Sequence, residues 1–159
     1  MAAELEPVRV EPCGPEAAEA VHRLTRAAFA GHAALDPPSG AGRETLDAVR
    51  ADLASGAALA LVGDRPVGCL RYAVADGHLH VRRVAVEPAL QGRGIGRALM
   101  AWAEAEARRR GVAEVTLGVR IALPSNLELY RHLGYEVVSA HAHPGYDRPT
   151  WLQMRKPVR

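Results

Sequence analysis

Lysine is nearly absent from this chain of 159 residues: Lys156 is the only one, and the other basic side chains are arginines. The bias runs through the whole sequence, so a single arginine carries less weight than usual as a mark of phosphate recognition. Cysteine is scarce as well. Cys13 and Cys69 lie far apart and lack the paired spacing of a zinc site, which excludes a disulfide framework and points to free thiols in a reducing compartment. No uncharged run is long enough to span a bilayer, and residues 1–7, with Glu4 and Glu6, lack the apolar core of a targeting segment. A cytoplasmic location without membrane association is therefore expected. Net charge is small, +2. The basic residues are scattered except for Arg108, Arg109 and Arg110, which fall in the last turn of a predicted helix and there complement its dipole, so no nucleic-acid partner is expected.

What is present is a chain 48% hydrophobic and 24% charged, long enough for one core and short for two, so residues 1–159 are read as a single domain. Residues 8–10 read as a first strand. Pro15 opens a helix through Phe29, with Val21, Leu24 and Ala28 on one face and Gly31 after it. Residues 32–42, with Asp36-Pro37-Pro38-Ser39-Gly40 among them, are kept out of helix and strand by their prolines and glycines. Residues 44–54 form a second helix with Leu46, Val49 and Leu53 on one face, stopped by Gly56.

Strands at 57–62 and 67–75 flank the turn Gly63-Asp64-Arg65-Pro66, and Asp76-Gly77 turns the chain into a strand at 79–86. These are expected to be antiparallel. A helix over 95–110 places Ile95, Leu99, Trp102 and Ala103 inward, and a crossover then predicts a parallel strand at 115–119. A short helix through Leu133, capped by Ser125 or Asn126, and strands at 135–140 and 150–155 complete a mixed sheet with helices on both faces, an α/β fold.

The most informative segment joins the strand ending Val84-Ala85-Val86-Glu87-Pro88 to the helix that begins near Ile95. Glycines at 92, 94 and 96 allow close backbone approach, and the helix start adds unpaired N–H groups and a positive dipole end. The result is an anion cradle suited to a diphosphate. A Rossmann turn needs G-x-G-x-x-G, but the last position here is Arg97; a Walker A loop needs a lysine, and this segment has none.

With Gln91, Gly94 and Gly96 in the order Q-x-x-G-x-G after Val-Ala-Val-Glu-Pro, the segment resembles the acyl-coenzyme A loop of the GNAT superfamily of N-acetyltransferases. Leu129-Tyr130-Arg131-His132-Leu133-Gly134-Tyr135 is similar to that family's L-Y-x-x-x-G-F/Y segment. The resemblance is specific over residues 79–135 and topological before them. It implies a GNAT-like fold, with a mostly antiparallel central sheet and a parallel pair at the cofactor cleft, and direct acetyl transfer from acetyl-CoA to a primary amine. It further implies that the backbone of Val84, Ala85 and Val86 pairs with the pantetheine arm and polarises the thioester. Gln91, Gly92, Arg93, Gly94, Ile95, Gly96 and Arg97 would hold the pyrophosphate, and Tyr130 would act as general acid on the departing thiolate. A phenol of ordinary pKa about 10 is protonated at neutral pH and able to donate.

Two departures stand out. Many members carry an asparagine seven residues before the tyrosine, where this chain has Leu123; Asn126 is the substitute, as helix cap, cofactor contact or both. Members acting on protein N-termini often carry a glutamate in a Glu-Val-Arg strand segment, where this chain reads Gly118-Val119-Arg120. Some relatives use a carboxylate six residues before the last valine of Val-Ala-Val, and that position is His80, whose ordinary pKa near 6.5 suits a base. A strand histidine without chemistry and a water relay stand as alternatives.

The acceptor site is expected where the loops at 36–39 and 141–148 meet the thioester, with Asp36 and Glu44 as candidate partners of its ammonium; Asp147 is a third acid there. The pairs His78/His80 and His141/His143 have no third ligand at zinc spacing, so no metal is expected. A homodimer is left open. A non-catalytic acyl-CoA-binding module keeps the cradle without needing Tyr130, and a nucleotide-binding regulator is a weaker alternative.

Overall fold

In the computed structural model, residues 6–32 and 34–159 are described; most of the N-terminal segment read above lies outside them. The elements run β1 (Val8–Cys13), α1 (Ala18–Ala30), α2 (Leu46–Asp52), β2 (Ala57–Val62), β3 (Arg65–Ala75), β4 (His78–Val86), α3 (Ile95–Arg109), β5 (Glu114–Arg120), α4 (Pro124–His132), β6 (Glu136–His141) and β7 (Trp151–Pro157). The seven strands form one mixed sheet in the order β1-β2-β3-β4-β5-β7-β6. β1 and β2 pair antiparallel from Val8 opposite Val62 to Cys13 opposite Ala57, while β4 and β5 pair parallel from His78 opposite Glu114 to Val81 opposite Leu117. β4 runs on to Val86 and β5 to Arg120, past those last partners.

The chain forms two compact units, one holding the residues through Tyr72 together with Arg83–Trp102, the other Ala73–Arg82 and Ala103–Arg159. In the first, Val21, Leu24, Val49, Leu53, Ala57, Cys69 and Ala85 form a core cluster. Each fully buried Val or Leu among them contributes roughly 1.5–3 kcal/mol relative to leaving it exposed. Its α1 residues follow helical spacing, and β2 is buried along most of its length, as an almost unbroken apolar run requires. In the second unit Leu79, Val81, Val115, Leu117, Met154 and Val158 are buried.

Several boundaries differ from the sequence reading for local reasons. Pro15–Ala17 is a separate 3-10 turn ahead of α1, and Gly40–Arg43, mostly within the loop expected at 32–42, is another, in which the Ala41 amide donates to the Ser39 hydroxyl. α2 starts two residues late because Thr45 is its N-cap, its Oγ1 accepting from the Ala48 amide at 3.1 Å. Glu44 is thereby left extended, outside the helix. α4 is capped neither by Ser125 nor by Asn126: Leu123 is the N-cap and Pro124 takes the first helical position, where its missing N–H and fixed φ cost nothing. The Asn126 amide instead donates to the Leu123 carbonyl at 3.1 Å.

Candidate active site

The first unit carries the glycine turn. β4 ends on Val84, Ala85 and Val86, of which only Ala85 is fully buried. The strand is locally distorted, with Arg83 at φ 54°. After Val86 the chain is fastened twice: the Glu87 amide donates to the Val67 carbonyl at 2.9 Å, and the Arg65 guanidinium donates to the Glu87 carboxylate at 2.6 Å. Gln91 reaches back, its Nε2 donating to the Val86 carbonyl at 3.4 Å.

Gly92 and Gly94 adopt φ 80° and 87°, the left-handed region that side chains rarely enter, and an added Cβ at either would meet nothing within 4 Å. The turn is therefore glycine for its backbone shape and opens onto free space. The Gly94 carbonyl accepts from the Ala98 amide at 3.0 Å, so the amides of Ile95, Gly96 and Arg97 are the unpaired donors of the first turn of the fifteen-residue α3. Ile95 spends its side chain on the core and offers only its backbone, whereas Arg93 and Arg97 are exposed on either side of the helix start. Gly68 makes this placement possible: a Cβ there would lie 3.0 Å from Ile95, 3.1 Å from the Ala85 carbonyl and 3.2 Å from Leu99. The only sequence signal for that close approach was a glycine inside a strand.

Also in this unit, Asp36 is exposed, but Glu44 is committed. Its carboxylate grips the fully buried Arg71 guanidinium through both oxygens, at 2.7 and 3.0 Å, and Asp52 and the Thr25 hydroxyl complete the network at 3.1 and 3.2 Å. Cys13 and Cys69 are free thiols. Burial pushes Cys13 up to about 12 and Cys69 up to about 11, so neither is a thiolate at neutral pH.

The second unit carries the candidate acid and base. Tyr130 is buried on α4, which pushes its phenol up to about 12, and its ring meets that of Tyr135 edge-on at 6.0 Å. Tyr135 in turn donates to Glu104 at 3.2 Å, and Lys156, the chain's sole lysine, donates to the other oxygen of that carboxylate at 2.6 Å. Asn126 is half-buried on the same helix. His80 is half-buried on β4, with Nδ1 2.8 Å from the Thr116 hydroxyl. Burial first, then the neighbouring His78 and Arg82, lower its pKa, so the ring is neutral at pH 7.

Where relatives place a strand glutamate, Gly118 leaves the space to Trp151, whose Cε3 would stand 3.3 Å from an added Cβ; the Trp151 ring stacks on His141 at 4.3 Å. Among the described residues no group of three His, Cys, Asp or Glu side chains could hold a metal ion. Among them, too, no helix is long and apolar enough to cross a membrane. Arg109 and Arg110 both pair with Glu106, and Arg108 donates to the Val158 carbonyl at 2.9 Å.

The model of the acetyltransferase (GNAT) family matches residues 19–135, and the chain belongs to that family. It is an acyltransferase that takes its acyl group from an acyl-coenzyme A. Among solved structures, the paia N-acetyltransferase of Thermoplasma acidophilum, in complex with coenzyme A, superposes with a TM-score of 0.81 at 15% identity, over 96% of this chain and 99% of that one. The ribosomal-protein-S18-alanine N-acetyltransferase of Escherichia coli gives 0.78 at 20% identity, over 96% and 94%. At these identities the two establish the shared fold. No sequence among curated proteins matches the chain.

Proposed function

We propose that this single-domain enzyme transfers an acetyl group from acetyl-CoA directly to a primary amine in the cytoplasm. The observation that carries the donor assignment is the turn at Gly92 and Gly94, left-handed at both glycines and open above them, feeding three unpaired amides at the start of α3 between the exposed Arg93 and Arg97. Such a terminus favours a diphosphate by geometry and by dipole. The β4 backbone beyond Val81 then takes the pantetheine at Val84, Ala85 and Val86, and an amide of this stretch stabilises the oxyanion as the amine adds to the thioester carbonyl.

His80 is the base in this reading. With Nδ1–H donating to the Thr116 hydroxyl, Nε2 takes the proton from the acceptor's ammonium, and the neutral amine so formed attacks the thioester carbonyl. The tetrahedral intermediate collapses with cleavage of the carbon–sulfur bond, and Tyr130 gives its proton to the leaving thiolate. The raised pKa keeps the phenol protonated for that step. Neither thiol is activated, which supports direct transfer over an acyl-cysteine.

The test is stabilisation of the protein by acetyl-CoA in thermal melting, followed by release of free coenzyme A thiol with a panel of amines. Stabilisation by nucleotides but not by acetyl-CoA would overturn the donor; binding without thiol release for any amine would reduce the protein to a binding module.

A further inference from the structure

A cavity of about 260 Å³ at the C-terminal end of α1 is bounded by Arg26, Phe29, His32, Pro38, Ser39 and Arg43. All of these lie in the first unit, and among the described residues no aspartate or glutamate lines the cavity. Arg26 and Phe29 share a helix face three residues apart, and the Ser39-capped 3-10 turn brings Arg43 to the other side. Among the described residues neither arginine has a carboxylate within ion-pair distance, and the nearest acid in sequence, Glu44, is held by Arg71. The ring of His32 meets Phe29 edge-on at 5.4 Å. The cavity thus sets two exposed guanidiniums, neither in an ion pair among the described residues, beside the apolar Phe29 and Pro38.

Its position is informative. Gly40, in the same turn as Arg43, lies against Arg83: a Cβ there would be 3.1 Å from the Arg83 Nη2, and the Arg83 Nε faces Glu44 at 3.5 Å. Arg83 directly precedes Val84, so the cavity wall is fastened beside the strand assigned to the acyl donor. Asp36 and Glu44 are the carboxylates this stretch offers to an ammonium, yet the charged side chains gathered around the cavity are cationic.

We propose that this cavity binds an anionic group on the acceptor, which makes the acceptor a primary amine that also carries a carboxylate or phosphate. The inference rests on the N-acetyltransferase reading above. Two planar guanidiniums suit either anion. They repel polyamines, and the volume lies below the roughly 300–1,000 Å³ of a pocket for a drug-sized ligand, so the group is compact.

The experiment pairs each acid with its neutral counterpart: glycine, β-alanine and leucine against their amides, and phosphoethanolamine against ethanolamine. Binding is read by calorimetry in the presence of coenzyme A, and turnover by thiol release, for the wild type and for Arg26→Gln and Arg43→Gln. At least a tenfold preference for one acid-bearing series is expected, in Kd and in kcat/KM, falling towards unity in both variants; the preferred series tells carboxylate from phosphate. Equal or better use of the neutral amines, or a preference that survives both substitutions, overturns the proposal while leaving the transferase intact. Charge-dependent binding that both variants lose, without thiol release for any amine, keeps the anion site and overturns the transferase reading. Absence of charge-dependent binding to any probe overturns the anion site.

Discussion

Arg71 on β3 is fully buried, and Glu44, which precedes α2, holds its guanidinium through both carboxylate oxygens at 2.7 and 3.0 Å. Asp52 from the end of α2 and Thr25 from α1 complete the shell. One cation therefore ties both N-terminal helices to the sheet. Breaking a buried pair leaves an uncompensated charge, which costs more than the pair contributes. Arg71→Ala is expected to destabilise the fold by about 3–5 kcal/mol, and Glu44→Gln by less, since Asp52 stays with the cation. Denaturant titration checks both; a loss under about 1 kcal/mol for Arg71→Ala would put the pair among surface ion pairs in energetic terms.

Tyr130→Phe should leave coenzyme A affinity unchanged and lower kcat by about 10²-fold, the scale of a lost general acid. Calorimetry with coenzyme A and single-turnover thiol release separate the two quantities, and unchanged turnover removes the assignment.

The lowered pKa of His80 fixes a direction in pH. As a base it works when neutral, so kcat/KM should be on its plateau at pH 7 and fall on acidification only below the ordinary histidine value of about 6.5. His80→Ala should flatten that acidic limb. Stability follows the same sign: the unfolded chain takes up this proton first, so the contribution is complete above about pH 6.5 and is lost as pH falls through the lower folded value. A limb that persists in the variant assigns the titration to another group.

Gly94→Val forces a β-branched side chain into a left-handed backbone, at a cost of roughly 1–2 kcal/mol. Because nothing crowds the position, that cost falls on the shape of the turn, and acetyl-CoA affinity should drop about tenfold with a smaller change in melting temperature. Gly68→Val should do the reverse in emphasis, destabilising the fold through Ile95, Leu99 and the Ala85 carbonyl.

Cys13→Ala and Cys69→Ala should each retain activity, and iodoacetamide at pH 7.5 should inactivate the native enzyme slowly if at all, because both thiols are held protonated by burial. Rapid, acetyl-CoA-protected inactivation would reopen a covalent route.

Features that depend on a few adjacent residues are legible in the chain alone. The glycine turn was legible because a left-handed φ is a local demand that glycine meets, and the helices and strands because apolar spacing reports one buried face. The family followed from the two segments around Gln91 and Tyr130. Element ends were less legible: Thr45 outcompeted Glu44, and Pro124 outcompeted Ser125 and Asn126, through capping choices within one helical turn. Which charges are paired and which are available is set by long-range packing. Arg71 and Glu44 are 27 positions apart and meet because β3 passes beneath α1 and α2; Arg26 and Arg43 share one cavity because the turn at Gly40 folds back beside α1. Pairing over such separations depends on register and packing, which no short window of sequence contains, and so the contact of Glu44 with Arg71 has no local signal.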